Sequence, residues 1–181
     1  MVTRTQMTAA EYLKLPETNT PMELLNGELV VSPSPITDHQ RTVFSSAKLI
    51  EKQVKGGEVF VAPLDVYFDE LNIPQPDVMW VAPDSKCVIE RTRLNGAPDL
   101  IVEVLSTGTE RKDRVAALTE KFDLYQKYGV REYWIVDAAE QLIEVWQHDG
   151  SKFVRLGLFV PGEMFESALV GTVEVKAIFG E

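Results

Sequence analysis

The chain has 181 residues, 45% of them hydrophobic, with a formal charge of −10; this suits one globular domain over residues 1–181 and excludes disorder, while the acidity argues against a broad basic surface for nucleic acid and leaves room only for a local groove. Cys87 stands alone and the histidines are His39 and His148, so an intramolecular disulfide and a zinc cluster of Cys and His are excluded, and any metal must be held by oxygen, which favours Mg2+ or Mn2+. No stretch approaches the roughly 20 apolar residues that span a bilayer, and Met1 to Met7 lacks the apolar core of a signal peptide, so a cytoplasmic protein is expected.

In chain order, Thr8-Ala-Ala-Glu11 has the form of a capping box and opens a short helix through about Leu15, ended by Pro16. Asn26-Gly27, between two apolar runs, predicts a two-residue hairpin turn; Met22, Leu24, Leu29 and Val31 then share the apolar face and Glu23 lies on the opposite one. Thr37-Asp-His-Gln40 makes a second capping box for a helix with Val43, Ala47, Ile50 and Val54 at helical spacing, ended by Gly56-Gly57. Glu58 to Asp69 reads as a strand or bent pair of strands broken at Pro63, and Asp77 to Val81 as another, whereas Cys87 to Ala97 has no clear pattern. Asp99 to Ser106 is an apolar strand. A helix follows from about Glu110 to Tyr128, capped by Ser106 to Thr109 and stopped by Gly129, with Val115, Leu118, Phe122 and Tyr125 as its core stripe. Strands over 132–137, 142–146 and 153–158 complete the order, which fits a mixed sheet flanked by helices, an α/β or α+β domain.

Glu103 sits in the middle of the apolar run Leu100 to Leu105. Strand alternation puts Asp99, Ile101, Glu103 and Leu105 on one face and Leu100, Val102 and Val104 on the other. An isolated carboxylate there costs several kcal/mol, on the order of what transfer data give, unless it is paired, protonated or bound to a metal. Pairing with an Arg or Lys at the sheet edge is one reading. Asp77 on a separate strand offers another, since two carboxylates without a nearby Cys or His suit a hard divalent cation, able to polarise a phosphodiester. Lys121 lies at the flank of the helix stripe, where a lysine either reaches back to the sheet as a cation for developing charge or snorkels to water. His39, in the first turn of its helix, is positioned to contact phosphate or to pack. Arg41, Lys48, Lys52 and Lys55 form a modest basic stretch, facing nucleic acid or simply solvated. Edge strands in the C-terminal half, with Trp134 and Trp146, suit self-association as a homodimer; those aromatics fit the core equally well.

The succession Met22-Glu-Leu-Leu-Asn-Gly-Glu-Leu-Val30, Gln75-Pro-Asp77-Val, Ala97-Pro-Asp-Leu-Ile-Val-Glu-Val-Leu-Ser106, Asp113, Lys121-Phe-Asp-Leu-Tyr125 and Gly129-Val-Arg-Glu-Tyr-Trp-Ile-Val-Asp137 resembles the Uma2 family, restriction-endonuclease-like proteins of the PD-(D/E)XK nuclease superfamily. The resemblance implies a mixed central sheet flanked by helices, with an N-terminal hairpin, and a Mg2+- or Mn2+-dependent endonuclease acting on DNA. It makes Asp77 and Glu103 the metal ligands, Glu23 an additional acidic position, and Asp99 a decoy. The departure is Leu105, where the motif would place its lysine. Either the site is inactive, leaving a binding protein for nucleic acid or a protein partner, or the cation comes from another element, for which Lys121 is the candidate.

Overall fold

In the computed structural model, residues 6–16, 18, 20–32, 34–105 and 111–180 are described, the side chains of 111–117 excepted. The expected cap at Ser106 to Thr109, Asp113 and the Val115 end of the helix stripe lie outside the described residues or side chains.

The elements are α1 (Ala9–Tyr12), β1 (Met22–Leu25), β2 (Glu28–Val31), α2 (Thr37–Gln53), β3 (Glu58–Val61), β4 (Asp65–Tyr67), β5 (Val78–Val81), β6 (Val88–Ile89), β7 (Arg93–Asn95), β8 (Leu100–Leu105), α3 (Arg111–Lys127), β9 (Glu132–Asp137), β10 (Leu142–His148), β11 (Phe153–Phe159), β12 (Met164–Ser167), β13 (Gly171–Glu174) and α4 (Val175–Ile178). Six strands form the central sheet in the order β11-β10-β9-β8-β5-β3. Its one parallel pair is β8 with β9; the other neighbours run antiparallel. That pairing follows from α3, because parallel neighbours need a long connection between them.

The alternation in β8 divides the core in two. Leu100, Val102 and Val104 pack on one face with Val43 and Ile50 of α2 and Ile178 of α4. Ile101 points to the other face, into a cluster with Leu124 and Tyr125 of α3, Tyr133 and Leu25. Burial on both faces is why β8 is a nearly continuous apolar run and why Glu103 stands out in it.

Two expectations need correction. The Asn26-Gly27 hairpin forms in the expected register, Leu24 opposite Leu29, with both turn residues at positive φ, 50° and 78°. Its faces are not divided as expected, however: Leu24 packs with Ala9, Tyr12 and Ile73, Leu25 joins the α3-side core, Glu23 is buried, and Leu29 and Val31 are exposed. The hairpin lies against the body of the protein on both sides of β1, so polarity alone misplaces Glu23. The second capping box does not form. Thr37 is already helical, the cap is Ile36 in extended conformation, and no side chain bonds the first turn as a cap.

The Glu58–Asp69 segment does split at Pro63, with β4 leaving to pair with β7 in a separate three-stranded sheet that organises the Cys87–Ala97 region. Trp134 is fully buried, edge-to-face with Phe165 at 5.2 Å, and Trp146 packs half-buried on Phe122 at 4.8 Å, so both rings serve the core. Among the described residues no helix is long and apolar enough to cross a membrane.

Candidate active site

The β5–β8 ladder pairs Val78 with Val102 and Met79 with Ile101. Continued by one step, it brings Asp77 opposite Glu103. Asp77 is anchored there by the Val104 backbone N–H, which donates to Oδ2 at 2.7 Å. Its other oxygen faces His39 Nε2 at 3.3 Å. The register thus places the two carboxylates expected as ligands side by side at one end of the sheet.

Lys121 completes the group from α3. Its ammonium donates to both Glu103 oxygens at 3.1 Å and lies 3.0 Å from Glu23 Oε2. All three residues are nearly buried, at 7%, 7% and 8% exposure for Glu23, Glu103 and Lys121. Lys121 is not at the flank of the inward stripe but near its middle. Leu124 and Tyr125 are buried and Leu118, Phe122 and Tyr128 half-buried, which centres the helix face on the lysine. Glu23 is steadied by the Gln75 backbone N–H at 3.2 Å, while the Gln75 side chain donates to Asp65 at 2.8 Å. One short segment, Gln75-Pro76-Asp77, therefore both supplies Asp77 and holds Glu23.

Burial is the largest influence on Glu103 and, with the charges of Asp77 and Glu23, pushes its carboxyl up to about 7, against the opposing pull of Lys121 and Tyr125. Burial pulls Lys121 down, but Glu103 and Glu23 more than reverse this and hold its ammonium well above the ordinary lysine value. For His39 the same contest ends upward: burial lowers it, and the bond to Asp77 and that residue's charge raise it by more.

Among the described residues no group of three or more His, Cys, Asp and Glu side chains is arranged to hold a metal. A magnesium ion asks for less, since it keeps several waters and is commonly held by one or two carboxylates. The donors present fit one. Glu23 and Glu103 share the single ammonium of Lys121, and Asp77 stands beside them with one oxygen on His39, so three oxygen-bearing acids gather at one place, the donor chemistry a hard divalent cation takes.

Of the remaining expected residues, His39 joins the group and Arg41 and Asp99 do not. His39 is turned inward onto Asp77. Arg41 is on the outer face of α2, largely exposed and paired with Asp38 at 3.0 Å. Asp99 is buried away from the group: Oδ2 accepts from the Ala82 N–H at 2.9 Å and Oδ1 from Arg131 at 3.3 Å. Sequence reasoning missed Tyr125 as a polar partner. Its hydroxyl donates to Glu103 Oε1 at 2.7 Å, and the available signal was a buried tyrosine one helical turn after Lys121, since such a hydroxyl needs an acceptor.

The mixed sheet flanked by helices, with its N-terminal hairpin, is a restriction-endonuclease-like fold, and Asp77 immediately before β5, Glu103 on β8 and Lys121 on α3 gather at one end of it. The profile of the Uma2 family, described as "Putative restriction endonuclease", matches residues 9–175. The chain belongs to the Uma2 family. Its fold is similar to that of a solved structure from Anabaena variabilis described as "a putative nuclease belonging to DUF820", at a TM-score of 0.76 and 22% identity, over 96% of this chain and 98% of the other. No curated protein matches the chain.

Proposed function

We propose that this chain is a metal-dependent endonuclease that hydrolyses DNA phosphodiester bonds, with Asp77 and Glu103 holding Mg2+ or Mn2+. The observation that carries the reading is Lys121, whose ammonium reaches both Glu103 oxygens at 3.1 Å and supplies the cation that Leu105 cannot. A divalent cation at these carboxylates supplies Lewis acidity at the scissile phosphate and acidity for the attacking water. Lys121, held protonated by its two carboxylate partners, offers fixed positive charge to the phosphate and is no base at neutral pH. Glu23 orients that ammonium, and His39 backs Asp77 rather than meeting phosphate itself. Near-complete burial strengthens each of these charges relative to water. Arg41 meets the DNA backbone from the outer face of α2. The expected homodimer would use edge strand β11, where Val154, Leu156 and Leu158 are exposed.

A second reading, a non-catalytic nuclease fold that binds nucleic acid or a protein, is favoured by one observation: all three ammonium protons of Lys121 already have carboxylate acceptors. Plasmid incubated with Mg2+ or Mn2+ separates the two. The first reading expects nicking that disappears in Asp77→Ala and Glu103→Ala; cleavage that survives both substitutions arises elsewhere and overturns it.

A further inference from the structure

The two oxygens of Glu103 are held unequally. Oε1 accepts from the Tyr125 hydroxyl at 2.7 Å and from Lys121 at 3.1 Å. Oε2, among the described residues, meets Lys121 alone, also at 3.1 Å. Tyr125 follows Lys121 by four residues on α3, so both side chains leave the helix on the same face and converge on one carboxylate. The tyrosine ring is fully buried, edge-to-face with Tyr133 at 5.1 Å and tilted against Phe68 at 5.7 Å. Packed from two sides, it presents its hydroxyl at a fixed point. A phenylalanine would serve the same apolar contacts, so packing alone does not account for the hydroxyl.

We infer that Tyr125 is a positioning residue: its hydroxyl pins Glu103 Oε1 against the interior and leaves Oε2 as the oxygen offered to a divalent cation. The inference rests on reading Asp77 and Glu103 as the residues that hold that cation. Carboxylate ligands left without a hydrogen-bond partner behind them rotate, and loss of such a partner commonly weakens metal affinity 10–100-fold, on the order of magnitude seen at other metal sites.

The test is Mn2+ binding to the full-length protein by calorimetry, with no nucleic acid present. Tyr125→Phe is expected to weaken binding about tenfold. Two para-substituted rings at position 125 separate donation from filling: 4-fluorophenylalanine occupies the space without donating and should stay weak, while 4-aminophenylalanine donates from the same place and should return to within about threefold of the natural protein. If Tyr125→Phe fails to fold, these two variants carry the comparison by themselves. Natural affinity in Tyr125→Phe, or recovery with the fluoro ring, overturns the positioning role and leaves the ligand assignment standing. Absence of Mn2+ binding by the natural protein overturns both.

Discussion

Lys121 and Glu103, eighteen residues apart on α3 and β8, meet as a buried pair in which one ammonium bridges both oxygens of one carboxylate at 3.1 Å. Leu105, two residues beyond Glu103 on the same strand, carries no charge to offer. The ammonium beside Glu103 therefore comes from α3, the helix that connects β8 to β9. Removing either partner leaves the other charged and buried, which is the costly way to break such a pair.

Lys121→Met keeps most of the side-chain length and deletes the charge. It is expected to lower stability by about 3–5 kcal/mol, because Glu23 and Glu103 are left facing each other and Asp77. Urea unfolding near neutral pH measures this. Catalysis, followed as plasmid nicking, should fall about 10²–10³-fold, as when a charge-stabilising donor is removed.

The elevated proton affinity of Glu103 gives the metal-free protein a pH dependence of definite sign. Its folded-state value, about 7, lies above the ordinary 4.5, so the group favours folding fully below the ordinary value, and that contribution is lost as the pH rises through about 7. Glu103→Gln removes this contribution. Urea titrations without metal at about pH 5 and about pH 8 should show a larger decline for the natural protein than for the variant; equal declines would contradict the assignment.

A second buried acid makes a control. Glu132 is 1% exposed and accepts from Trp134 Nε1 at 3.0 Å, Gln147 Nε2 at 3.1 Å, the Ser167 hydroxyl at 2.7 Å and the Ala168 N–H at 2.7 Å. Glu132→Ala strands four donors and should cost about 3 kcal/mol in chemical denaturation. Mn2+ affinity should not change beyond about twofold, since the residue stands apart from the Asp77 and Glu103 carboxylates proposed to hold the ion.

Asp99 belongs with Glu132. Asp99→Ala frees the Ala82 N–H and Arg131, and a loss of about 1–3 kcal/mol is expected. Nicking activity, measured on the folded variant, should be retained.

How far the residues themselves disclosed this arrangement differs from place to place. Glu103 was legible because a carboxylate in a run buried on both faces demands a partner, and the Asn26-Gly27 turn was legible because few other pairs tolerate two positive φ values. Glu23 was not. With β1 covered on both sides, alternation still says which residues share a face but no longer which face meets water. The central position of Lys121 was hidden for a related reason: a stripe drawn through apolar residues alone omits the lysine and shifts its own axis away from it. Asp77 and Glu103 lie 26 positions apart in the chain, and only the antiparallel register of β5 and β8 brings them opposite each other. The second capping box failed because Ile36, extended after Pro35, is where the helix starts; Thr37 is then inside the first turn and cannot cap it.

The most direct measurement of the central claim is anomalous diffraction from crystals soaked in Mn2+. A single strong peak is predicted within about 2.0–2.3 Å of carboxylate oxygens from both Asp77 and Glu103, with Lys121 still beside Glu103. No peak at saturating Mn2+, or a peak whose protein ligands include neither residue, would contradict the account.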